Sequence, residues 1–106
     1  MVRKGGNASI TAADTDTTIY SVTSGRAFEP SVIIITNNSG ATARVRIWDG
    51  ASATGTKWLD VMVANGETVQ LNNIEGMRFY TSVTAQSDNA GAEPAHVWVF
   101  VGGEEE

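Results

Sequence analysis

Hydrophobic residues recur at every second position along this chain, with no helical period. In Thr42–Asp49 (TARVRIWD), Ala43, Val45 and Ile47 alternate with Arg44, Arg46 and Trp48. Successive side chains of a strand point to opposite faces, so the first set is assigned to a core and the second to the outside. Lys57–Ala64 alternates in the same way, with Leu59, Val61 and Val63 inward and Trp58, Asp60 and Met62 outward. Two segments depart from clean alternation. Val32-Ile33-Ile34-Ile35 is apolar at every position, too short for a helix and too β-branched, and reads as a strand covered on both sides. Ala95–Gly102 (AHVWVFVG) places Val97, Val99 and Val101 on one face and Trp98 and Phe100 on the other, so again both faces are apolar.

The remaining elements follow from β-rich runs and the turns between them. Ala8–Ala12 is predicted as a short edge strand and Thr17–Val22 as a strand after the Asp14-Thr15-Asp16 turn. Arg26–Thr36 carries Pro30, which cannot donate to a ladder and marks an edge or a bulge. Asn37–Gly40 is a turn, and Asp49–Thr56 is a loop of small residues. Asn65-Gly66 predicts a type I′ hairpin joining Lys57–Ala64 to Glu67–Leu71. After a turn at Asn72–Gly76, Met77–Gln86 puts Met77, Phe79 and Val83 inward and Arg78 and Tyr80 outward; Ser87–Pro94 is a polar loop. Seven or eight strands without helices predict an all-β fold, an antiparallel β-sandwich of jelly-roll kind. The expected organisation is a flexible arm over Met1–Asn7, one domain over residues 8–102 and an acidic tail over residues 103–106.

Composition narrows the function classes. The net charge of −5 and the dispersal of the seven basic residues argue against nucleic acid as a partner. With no cysteine there is neither a disulfide nor a thiolate metal site. No apolar run approaches the roughly 18 residues of a membrane-spanning helix, so no membrane role is expected. The N-terminus has no apolar segment of the secretory kind. His96 is the single histidine, without the partners a relay or zinc site requires, and no serine sits in a G-x-S-x-G elbow. Asp14 and Asp16 read as turn residues, since calcium needs six or more oxygens. These residues predict a protein that is not an enzyme and holds no cofactor.

The outward aromatics are the candidate site: Trp48, Trp58, Trp98, Tyr80 and Phe100. Three readings stand open: cover by loops or the N-terminal arm of the same chain, or a different register in one strand; a subunit interface; or a platform on which sugar rings stack. Arg3 and Lys4 near the start and Glu104-Glu105-Glu106 at the end add an electrostatic suggestion, the arm of one subunit meeting the tail of another.

The central segment also carries a resemblance. An asparagine-containing turn (Thr36–Gly40) is followed by Trp48-Asp49-Gly50, the loop Ser52–Thr56, the apolar strand Trp58–Val63 and Ala64-Asn65-Gly66; Gly76–Tyr80 adds a glycine before an aromatic strand. Over Val32–Val83 this resembles a recurring small all-β protein encoded among tailed-phage structural genes. The resemblance implies a virion component, a capsid decoration (cement) protein on the outer capsid surface, trimeric and in contact with the major capsid protein. Two alternatives are a carbohydrate-binding module of a head or tail fibre that contacts the host surface, and a tail or baseplate subunit.

Overall fold

The computed structural model describes residues 2–72, 74, 76–91 and 96–106. Met1, the end of the predicted Ser87–Pro94 loop and the first residue of the predicted last strand lie outside them. Eight strands are present: β1 (Val2–Ile10), β2 (Thr17–Ser21), β3 (Phe28–Asn37), β4 (Ala43–Asp49), β5 (Thr56–Val63), β6 (Thr68–Leu71), β7 (Ser82–Ser87) and β8 (Val97–Glu105). They form two antiparallel four-stranded sheets of order β1-β8-β3-β6 and β2-β7-β4-β5, packed as a sandwich. This order is that of a jelly roll. Every connection but one passes from one sheet to the other, and only β4 and β5 are joined and paired as a hairpin.

The alternating residues meet between the sheets. Ile33, Ile35, Val97, Val99 and Val101 come from one sheet, and Val45, Ile47, Val63, Val83 and Ala85 from the other, all essentially inaccessible. Each such aliphatic side chain contributes about 1.5–3 kcal/mol by leaving water. Phe28 and Phe79 close one end, bonded to each other through both backbone amides at 2.8 and 2.9 Å. Asn37, fully buried at the end of β3, donates from Nδ2 to the Ala41 and Val63 carbonyls and accepts from the Ser39 amide and hydroxyl. It thereby ties the β3–β4 turn to the end of β5 in the opposite sheet.

Three expectations are corrected. Residues Val2–Asn7 are not an arm: β1 pairs with β8 over its whole length, from Val2 opposite Glu105 to Ile10 opposite Val97. Gly6 permits this course, because a methyl group there would collide with the Ile19 carbonyl of β2. The acidic end is not a solvated tail either. Gly103–Glu105 belong to β8, and Glu106 exchanges two backbone bonds with Ala27. Asn65-Gly66 turns the chain between sheets instead of making a hairpin, since β6 pairs with β3. Among the described residues, Asp14 is the non-glycine with a left-handed φ, so Asn65 lacks the positive φ of a type I′ turn. Gly66 at φ 82° and the Glu67 amide bonded to the Ala64 carbonyl fit a type II turn.

Candidate interaction surface

Strand register fixes what the β1-β8-β3-β6 sheet shows on its outer side. Trp98 lies between Ser9 and Thr36, with Thr68 beyond; the next outward row is Asn7, Phe100, Ile34 and Gln70; the next is Gly5, Gly102 and Val32. The last row sets Arg3 beside Glu104 and Glu29. Trp98 is 44% exposed and Phe100 40%. Val32 and Ile34 are half-buried beside them, which makes a continuous apolar strip across the two central strands. Thr36 and Thr68 bridge their hydroxyls at 2.9 Å at its border.

The strip is not flat. Gly5 and Gly102 sit side by side and contribute no side chain. A methyl group at Gly102 would lie 3.4 Å from two Phe100 ring carbons and from Val32, so the ring leans over that glycine. An extra residue in β3, Ser31, bends the strand at the same level. The result is a hollow of about 400 Å³ bordered by Phe100, Val32, Ser31, Arg3 and Glu104. Trp98 stands two residues from Phe100 on one side, and Gly102 two residues away on the other.

The other predicted surface residues divide. Tyr80 is 58% exposed, in the connection before β7. Trp48 is only 9% exposed and lies outside the core cluster, on the outer side of its sheet. The β4–β5 loop reaches across this side of the sheet: the Ser52 amide donates to Asp16 at 3.0 Å, just before β2 at the far edge. The loop therefore crosses the level where Trp48 pairs with Thr84, itself 3% exposed. Trp58 is the extra residue of a bulge in β5; the bulge turns it toward the core, where it packs against Phe79 with ring centroids 6.3 Å apart. Its indole N–H donates to the Arg78 carbonyl at 3.1 Å. Trp48 and Trp58 are therefore removed from the candidate surface by contacts within the chain. Arg3 and Lys4 are exposed but set in β1, and Arg3 lies directly opposite Glu104 of its own chain, where the arm-to-tail expectation placed a neighbour's.

Other polar residues serve the fold. Asp49 accepts from the Tyr80, Thr81 and Ser82 amides at 2.9–3.3 Å, which anchors the chain entering β7. Asp16 holds Ser52 and Gln86, so its carboxylate is a tie between loops. Glu105, 4% exposed, accepts from the Thr23 amide and hydroxyl at 2.9 Å and the Tyr20 hydroxyl at 2.8 Å. The Thr23 amide, then the Tyr20 hydroxyl, lower the Glu105 pKa. Burial, then the Glu105 carboxylate, push the Tyr20 phenol up to about 12. An extra residue in β2, Ile19, aims Tyr20 inward to make this clasp between the sheets, a link that strand alternation in the sequence does not reveal. His96 is 3% exposed, with Nδ1 3.0 Å from the Ala90 carbonyl. Among the described residues no group of three or more histidine or acidic side chains is placed to hold a metal ion. No protein-family model matches the chain, and no curated protein matches it either.

Proposed function

We propose that this chain is a structural protein without catalytic activity, which works by covering its bare aromatic face with protein. The observation that carries this reading is the strip of Trp98, Phe100, Ile34 and Val32 on the outer side of the β1-β8-β3-β6 sheet. Large aromatics at the centre of an apolar strip with a polar border are the usual composition of an association surface. The resemblance in the central segment supplies the setting: a decoration protein on the outer head surface of a tailed phage, joined to copies of itself and to the major capsid protein. A ligand that binds only the assembled shell stabilises it by mass action, and weak contacts repeated over a lattice add through multivalency.

The test is co-sedimentation of the purified chain with phage heads that lack it. Saturable binding and a higher temperature of head disruption support the reading; an unbound chain and an unchanged temperature sink it. A carbohydrate-binding role is favoured by one observation, the hydroxyl and amide side chains of Ser9, Asn7, Thr36 and Gln70 flanking the two rings. Quenching of tryptophan emission by host polysaccharide would favour that role instead. Electron microscopy of the parent particle separates a head position from a tail or baseplate one.

A further inference from the structure

The outer strip carries a projection and a hollow on the same strand, equally spaced about one residue. Trp98 projects; Gly102, with Gly5 beside it, is the floor of the hollow; Phe100 lies midway. We infer that two copies pack this face against itself about a twofold axis running along the row Asn7–Phe100–Ile34–Gln70. Trp98 of each copy then enters the other's hollow beside Gly102, between the Phe100 ring and the Arg3–Glu104 pair. This rests on the reading of the face as an association surface, and it changes the expected number of subunits from three to two.

The geometry follows from the register. A twofold axis lying across the strands leaves each strand facing its own copy and reverses its direction. The Ser9, Trp98 and Thr36 row therefore meets the Gly5, Gly102 and Val32 row. Trp98 then opposes a glycine on either side of the axis, while on the axis Phe100 meets Phe100 and Ile34 meets Ile34, so rings and gaps alternate across two layers at their usual separation of about 10 Å. Such a contact is isologous and closes after two copies. An axis running along the strands would instead bring Trp98 level with Trp98 and leave both hollows empty. Charge agrees with the crossed arrangement. Arg3 and Glu104, opposite one another in the same chain, border the hollow, so the entering indole meets an already matched pair of opposite charges.

The area sets the strength. Four strands about 4.8 Å apart and some seven residues long present on the order of 500 Å² a side, below the ~800 Å² per partner of a standard complex. The dimer is accordingly weak, with a dissociation constant of micromolar order or above.

The chain has no cysteine, so a single introduced thiol is unique. Ile34→Cys lies on the axis and faces its own copy across the interface. A bis-maleimide spanning about 10 Å, the separation of packed layers, should join two copies of this variant, while Arg44→Cys on the opposite sheet should stay unjoined. Trp98→Ala is expected to raise the dissociation constant at least about tenfold, as expected for loss of a hot-spot residue. Gly102→Leu should do the same by filling the hollow. Should Gly102→Leu fail to fold, Trp98→Ala carries the test, because its side chain is exposed. A trimer by sedimentation, or bridging at Arg44→Cys in place of Ile34→Cys, overturns the twofold packing and leaves the association reading standing. A chain that stays monomeric at hundreds of micromolar overturns both.

Discussion

On the outer side of the β2-β7-β4-β5 sheet, Arg44 reaches Asp60 at 2.7 Å, Lys57 reaches the same carboxylate at 3.2 Å, and Trp48 is only 9% exposed. On the outer side of the β1-β8-β3-β6 sheet, Trp98 and Phe100 stand uncovered beside Ile34 and Val32. Both faces arise from the same alternation of strands, and both carry an outward tryptophan. One is finished within the chain by charges and a loop; the other ends in apolar rings. A domain of this size can close one core, and the second apolar layer of the β3 and β8 strands stays partly exposed.

The two tryptophans offer the sharpest way to break this comparison. Trp48→Ala should lower the unfolding free energy by about 3 kcal/mol, because a covered aromatic leaves a cavity. Trp98→Ala should lower it by only about 1 kcal/mol, because nearly half of the side chain is already in water. Urea titrations of both variants at low concentration measure the difference, and equal losses would erase the distinction between the faces.

The clasp that pins the end of β8, beneath the bare face, gives a second effect. Removing the Tyr20 hydroxyl with Tyr20→Phe should cost about 1 kcal/mol, the usual net value of one hydrogen bond. The clasp also titrates at both ends of the pH scale. The Glu105 pKa is lowered by folding, so its contribution is present above the ordinary carboxylate range and is lost as pH falls through the depressed value. The Tyr20 pKa is raised to about 12, so its contribution is present below 10 and is lost as pH rises from 10 to 12. Thermal unfolding followed against pH should show both limbs, and the alkaline limb above pH 10 should shrink in Tyr20→Phe.

The smallest effect belongs to the charged face. The Arg44 guanidinium holds the Asp60 carboxyl well below the usual range, yet both side chains reach solvent. Exposed pairs contribute little. Arg44→Ala should leave both the urea midpoint and association unmoved; a loss of association would mean that the charged face takes part.

What the sequence discloses and conceals follows the same division. Trp98 and Phe100 are legible as outward because Val97, Val99 and Val101 alternate with them without interruption. The core sets of β4 and β8 are legible for that reason as well. Trp58 is misplaced by alternation because one extra residue in β5 shifts the register, and no residue type announces that bulge. Trp48 is covered within the chain although it points to the outer side of its sheet, and periodicity gives the direction of a side chain but not what lies over it. Asn65-Gly66 is a turn in the sequence and in the fold; whether a turn stays within a sheet is decided by which strands pair. Val2–Asn7 reads as solvated from its charge and glycines, but it supplies the edge strand that β8 lacks on that side.

Sedimentation equilibrium of the intact chain beside Trp98→Ala, from nanomolar to hundreds of micromolar, tests the account at its centre. The account predicts reversible association of the unaltered chain in the micromolar range or above and its loss in the variant. Two indistinguishable monomers, or association that survives the loss of Trp98, would contradict it.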